Sequence, residues 1–246
     1  MGGAVVKDIS NKYNDLGKIG NGNFGSVYKG FNNVLQRIEA IKIVENISQH
    51  GNKATIEASV QHRLQHRNVV EVYDAFVRND KLYILMEYLE GGSVFKKLEC
   101  KIKITVIDAI KITIDSLQGL QFIHNNNFIH RDIKPSNILL DKNGMAKLSD
   151  FGLTSELGKD GKYNSTFGYT KHLAPEVLTG QGFSKKSDIF AIGLSMYRLL
   201  NGDSFIDNYE QQEIPYKIVE GTFPPRDLFS PDVPIRLQRI VLRALE

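Results

Sequence analysis

At 246 residues, with 41% hydrophobic and 24% charged side chains, the chain can bury a sizeable core as one two-lobed domain or two small ones. That composition excludes a disordered or fibrous polypeptide. A net charge of +3 suits an anionic ligand such as a nucleotide, yet no Lys/Arg run is dense enough for a nucleic-acid surface. The single cysteine, Cys100, leaves no intrachain disulfide and no cysteine-based zinc cluster, which fits a reducing, cytoplasmic setting. The longest apolar stretch, Ile189 to Leu200, is interrupted by Gly193, Ser195 and Arg198 and falls short of the roughly 18 residues that cross a bilayer. The N-terminus has no signal-peptide pattern, and Val6 stands where a myristoylation motif takes Ser or Thr. No membrane contact by this segment is expected.

In chain order, YNDLGKIGNGNFGSVYKGF alternates around a glycine-rich turn, and RIEAIKIVE and KLYILMEYL are runs of β-branched and aromatic residues that read as strands. Between them Ile56, Val60 and Leu64 recur on one face of a helix spanning Thr55 to Gln65. After Gly91-Gly92 the chain turns mostly helical. Val106 to Ile123 carries Ile107, Ile110, Ile114 and Leu117 at helical spacing, and Ser187 to Leu200 repeats the pattern more densely. Pro224-Pro225, Pro231 and Pro234 mark a loop before a last helix, Ile235 to Glu246. These elements predict an α+β fold with a small β-rich lobe over 13–87, a glycine hinge over 88–92 and a larger helical lobe over 93–246.

Chemistry concentrates in a few segments. Gly20-Asn21-Gly22-Asn23-Phe24-Gly25-Ser26-Val27 lies between two strand-like runs, and glycines let backbone N–H groups approach charged oxygens closely. No helix follows this loop, which disfavours a dinucleotide fold, whose glycines open one. Lys42 closes Ala40-Ile41-Lys42 on a strand, where an inward ammonium needs a partner. His130-Arg131-Asp132-Ile133-Lys134-Pro135-Ser136-Asn137, then Asp150-Phe151-Gly152, then Ala174-Pro175-Glu176 follow in that order.

This set, in this order, resembles the catalytic domain of eukaryotic-type protein kinases of the serine/threonine class over about Tyr13 to Glu246. The spare glycine-rich loop and short proline-punctuated C-terminal region look more like its bacterial members. The resemblance implies a bilobal fold, with an antiparallel sheet and one helix in the small lobe. It implies ATP and Mg2+ as cofactors and protein substrates as partners, and leaves the oligomeric state open. Asp132 would accept or orient the proton of the attacking hydroxyl, and Lys134 would neutralise the phosphoryl group in flight and mark serine/threonine specificity. Asn137 and Asp150 would hold magnesium. Lys42 would reach the α- and β-phosphates, oriented by Glu57, which precedes His66 by nine positions as the family's helix glutamate does. Gly20, Gly22 and Gly25 would cradle phosphates, Val27, Ala40 and Leu139 would sandwich adenine, and Met86 would be the gatekeeper. Glu87 to Leu89 would offer backbone hydrogen bonds, and Ser93 would complete the pocket.

The stretch LTSELGKDGKYNSTFGYTKHL has the length of an activation segment, with Ser165 and Thr166 where the family is often phosphorylated and Arg131 able to clamp such a phosphate. Asp188 resembles a buried aspartate that holds the catalytic loop. Departures from the pattern are Gln61 in place of an apolar spine residue, Tyr169 in place of the substrate-loop threonine, and the absence of the arginine that in the family follows the region ending at Glu246 and pairs with Glu176, so that either the chain is a fragment or Glu176 finds another partner. The large lobe is thus expected to lack its final helices. Two alternatives compete with an active kinase. A nucleotide-binding pseudokinase usually lacks a lysine or aspartate that is present here, and a small-molecule kinase generally lacks Lys134 and the Ala174-Pro175-Glu176 segment.

Overall fold

A computed structural model describes residues 9, 12–22, 25–50, 60, 62–164, 172–202, 209–210 and 212–246. The chain divides into two compact units, Met1–Leu89 with Asp150–Gly152, and Glu90–Ser149 with Leu153–Glu246.

The first unit is an antiparallel sheet in the order β1-β2-β3-β5-β4, built from β1 (Tyr13–Gly22), β2 (Gly25–Asn32), β3 (Arg37–Glu45), β4 (Val72–Arg78) and β5 (Lys81–Glu87), with a short helix α1 (Ile47–His50). Central β3 is buried from Glu39 to Val44, so it reads as a near-continuous apolar run and not as an alternating one. Its two faces feed separate cores. Ile41 and Ile43 pack with Ile9, Tyr13, Tyr83 and Leu85, while Val44 packs with Val72, Leu82 and Ile84. In the predicted helix of this unit, Val60, His62 and Arg63 are helical, and Val60 and Leu64 are buried. Glu57 and Gln61 lie outside the described residues.

A buried polar knot ties the first three strands together. The Tyr13 hydroxyl donates to Glu39 Oε2, Arg37 Nε donates to Glu39 Oε1 at 2.7 Å, and the Arg37 guanidinium covers the Tyr73 ring at 3.6 Å. Burial pushes the Glu39 carboxyl up, but hydrogen bonds from Tyr13, Arg37 and Asn32 and the Arg37 charge outweigh it and hold it below the ordinary carboxylate range. A carboxyl depressed on folding contributes stability that is complete above its unfolded pKa and is lost as pH falls through its folded one. We therefore expect Glu39→Gln to cost about 1–3 kcal/mol at neutral pH, with the gap to the wild type closing below roughly pH 4.5, as thermal melts across that range will report. A gap that stays constant into acid would disprove the carboxylate's role.

The second unit carries two small sheets, β6-β8-β9 and β10-β7, made from β6 (Gly92–Ser93), β7 (Phe128–Ile129), β8 (Ile138–Leu140), β9 (Ala146–Leu148) and β10 (Ser155–Glu156). Its helices are α2 (Val94–Glu99), α3 (Val106–Asn125), α4 (Pro175–Leu178), α5 (Lys185–Asn201), α6 (Ile214–Val219) and α7 (Ile235–Ala244). Thr105 caps α3, accepting from Asp108 N at 3.1 Å, and Ser184 caps α5 in a reciprocal box with Ser187. Helix α3 packs on β9 and α5, and α5 on α7.

The stripe that marks α3 in the sequence is not the face it buries. Ile107, Ile114 and Leu117 are 64%, 50% and 38% exposed, while Ala109, Ile112, Ser116, Gly119, Leu120 and Ile123 are buried. Small residues at three of those buried positions let neighbouring backbone approach closely, which decides the face where apolarity alone does not. The α5–α7 contact is equally tight: a Cβ on Gly193 would come within 2.8 Å of the Ala244 Cβ. No helix among the described residues is long and apolar enough to cross a membrane.

Candidate active site

In the first unit, sheet register gathers the expected nucleotide-binding side chains on one face. Val27 pairs with Lys42, Lys42 with Ile84, and Ala40 with Met86, and directly paired residues project to the same side of a sheet. Lys42 is 4% exposed, and its Nζ donates to Asp150 Oδ1 at 2.8 Å. A buried ammonium persists only when paired, so this bond answers the cost that its strand position raises. Asp150 itself sits at φ 62, a left-handed conformation that a non-glycine residue holds only where its surroundings dictate it.

The glycine-rich turn joins β1 to β2, with Gly20 paired to Val27 and Gly22 to Gly25. A Cβ on Gly25 would stand 2.1 Å from the Ile43 carbonyl oxygen, so packing alone demands glycine there. At Gly20 a Cβ would meet nothing within 4 Å, leaving its backbone open to approach by a ligand. Glu87 ends β5, its N–H donating to Glu71 O at 3.0 Å, and Leu89 is buried at the end of this unit.

In the second unit the segment from His130 to Asn137 holds a further set of the expected residues. Asp132 is buried, and Lys134 Nζ donates to both of its carboxylate oxygens at 2.9 and 3.0 Å. Asn137 Nδ2 donates to the Asp132 carbonyl and to Oδ2, each at 2.8 Å. That use of the amide nitrogen leaves the Asn137 side-chain oxygen as its donor to a hard cation. Asn137 is itself held by Ser149, whose N–H and hydroxyl both donate to the Asn137 carbonyl at 2.9 and 3.1 Å. Leu139 pairs with Ser93 across β6 and β8, and the Ser93 hydroxyl caps α2 by accepting from Lys96 N at 3.2 Å.

Asp188, on α5 and 2% exposed, anchors this loop from behind. Its Oδ1 accepts from Arg131 N and its Oδ2 from His130 N, both at 2.9 Å, and His124 Nε2 meets Oδ2 at 2.8 Å. His124 was not legible as a site residue. Its one signal is position, at the end of α3 just ahead of the loop. The Arg131 side chain donates from Nη1 to Leu153 O and Ser155 Oγ, both at 2.9 Å. Burial pushes the Arg131 guanidinium down from its ordinary value, an effect opposed by Tyr163, Asp188 and Asp132. Glu176 accepts from the Ser187 hydroxyl at 2.7 Å, and that hydroxyl in turn accepts from Ser184 N at 3.0 Å. The α5 cap thus supplies a hydrogen-bond partner for the Glu176 carboxylate. Ser165, Thr166, Tyr169 and Thr170 lie outside the described residues, as does Glu57.

Each unit offers a hard oxygen ligand of the kind Mg2+ takes from protein when phosphates supply others, the Asp150 carboxylate in the first and the Asn137 side-chain oxygen in the second. No group of three or more His, Cys, Asp or Glu capable of holding a metal alone occurs among the described residues.

The chain is 33% identical to the serine/threonine-protein kinase PrkC of Bacillus subtilis, over 98% of this chain and 38% of that protein. It is 32% identical to CBL-interacting serine/threonine-protein kinase 19 of Arabidopsis thaliana, over 97% and 50%, and 31% identical to an Aurora kinase of Eremothecium gossypii, over 94% and 64%. It spans less than two thirds of each of these relatives. With a family model for the protein kinase domain matching residues 13–234, the chain belongs to the protein kinase family.

Proposed function

We propose that the chain is an ATP-dependent protein kinase domain that transfers the γ-phosphoryl group to serine or threonine hydroxyls of protein substrates. The observation that carries this reading is the Asp132 carboxylate, buried and held by Lys134 and Asn137 in a loop anchored on Asp188. In that role Asp132 receives the proton of the substrate hydroxyl as its oxygen bonds to the γ-phosphorus and the bond to the ADP leaving oxygen breaks. Lys134 Nζ, already on the carboxylate, stays within reach of the charge that develops on the phosphoryl oxygens. Lys42 serves the triphosphate, and Asp150 and Asn137 would hold magnesium, which would supply charge neutralisation for the phosphates. In this reading Glu57, outside the described residues, has the family's role of orienting Lys42, and Val27, Ala40, Met86 and Leu139 are apolar groups for adenine.

The serine/threonine preference is supported by Lys134 and by the names of the relatives. Regulation through the activation segment, with phosphate at Ser165 or Thr166 read by Arg131, belongs to the same proposal. So does a cytoplasmic setting, where ATP is supplied and the exposed Cys100 stays reduced.

Mass spectrometry after incubation with Mg-ATP and a generic protein tests the reading. Phosphate is expected on Ser and Thr, reduced on the order of 10²-fold or more by Lys42→Met. Incorporation equal in the two proteins would remove the kinase assignment, and phosphate on Tyr alone would reverse the residue class.

A further inference from the structure

We propose that Tyr163 and Phe183 are positioning residues for this reaction, a paired aromatic clamp that holds the Arg131 guanidinium and thereby fixes the backbone that presents Asp132. The inference rests on the kinase reading above and extends it to residues that no motif contains.

Tyr163 and Phe183 face each other across an isolated antiparallel bridge, exchanging both backbone hydrogen bonds at 2.9 Å. Residues so paired project their side chains to the same side. Both rings meet one cation: the Arg131 guanidinium carbon lies 4.3 Å from the Tyr163 centroid and 4.6 Å from that of Phe183. Gly182 permits this approach, since it holds φ +82 and a Cβ there would stand 3.0 Å from the Tyr163 carbonyl oxygen. Phe183 is 2% exposed, so the contact is largely desolvated, the setting in which a cation over an aromatic face counts most.

Arg131 is consequently pinned at both ends. Its backbone N–H is fixed on Asp188, its Nη1 on Leu153 O and Ser155 Oγ, and its faces lie against two rings. Between these anchors the residue holds φ 69, a conformation that relaxes unless its surroundings over-determine it. Asp132 is the next residue, so any relaxation at Arg131 rotates the carboxylate that Lys134 and Asn137 hold. The clamp is made by the segment's own rings and needs no phosphate at Ser165 or Thr166.

The test compares Tyr163→Ala, Tyr163→Phe and Phe183→Leu, the last keeping bulk without a π face, each in the native sequence and in a Ser165→Ala/Thr166→Ala background. Tyr163→Ala is expected to lower kcat about tenfold or more with KM for ATP unchanged within about twofold, and Phe183→Leu to follow it. Tyr163→Phe, which keeps the ring, should stay within about threefold of wild type. The same ratios should hold in both backgrounds. Unchanged kcat in Tyr163→Ala, equal damage by Phe and Ala, or an effect that disappears in the double-alanine background would each overturn the clamp. Asp132→Ala separates the two readings: if wild type turns over no faster than that variant, the kinase reading fails. Amide exchange at His130 and Arg131 then decides the clamp alone, faster in Tyr163→Ala than in wild type and Tyr163→Phe supporting it, and equal rates in all three overturning it.

Discussion

Asp132→Ala is expected to lower phosphoryl transfer by about 10²–10⁴-fold while leaving the protein folded. The asymmetry follows from the partners of the carboxylate. Lys134 Nζ loses its acceptor, but its side chain is 15% exposed and reaches water, so little buried charge is stranded. Asn137 Nδ2 keeps the Asp132 backbone carbonyl at 2.8 Å. The rate, by contrast, loses what the proposed mechanism assigns to this carboxylate, taking the hydroxyl proton and aiming Lys134. Asp132→Asn should fall nearly as far, since an amide keeps the shape and cannot accept the proton. Initial rates with Mg-ATP, read beside thermal melts of the same samples, check both halves. Transfer by Asp132→Ala at the wild-type rate would remove the central residue of the mechanism.

Asp188→Ala should behave in the opposite way, losing stability first and activity with it. Two buried backbone N–H groups, of His130 and Arg131, and the His124 ring all address this one carboxylate. Each buried donor left without an acceptor costs about 1–3 kcal/mol, and a loss of several kcal/mol in a chain this size lowers Tm by roughly 10 °C. Asp188→Asn should be intermediate, because one amide oxygen still accepts while the amide nitrogen opposes a donor. Melting curves that superimpose on wild type would show that the loop is held by something else. Together the two aspartates give a clean contrast, one acting on the reaction and the other on the frame that carries it.

Much of this site was legible in the sequence because its chemistry is packed into short segments. Asp132, Lys134 and Asn137 lie within six consecutive residues, so local geometry alone brings them together. Strands β3 and β5 and helices α3, α5 and α7 were readable for a similar reason, since β-branched runs and helical spacing are local properties. Strand β4, Val72–Arg78, gave no such signal, its Asp74 and Ala75 breaking the run of strand-forming residues. Helix α3 shows the limit of periodicity most clearly. It carries two apolar stripes, and the one richer in isoleucine, with Ile107 and Ile114, is the exposed one.

The sequence by itself determined the family and the types of element, and nominated the residues of the reaction, because each reading rests on short segments whose residues lie close together in the chain. Apart from Asp188, which the resemblance already implied as the anchor of the catalytic loop, tertiary structure alone decided what holds those residues still. Lys42 meets Asp150 across 108 residues, Ser187 takes Glu176, and two aromatic rings close on Arg131. Such pairings are set by which surfaces meet when the core closes, and no spacing along the chain encodes them.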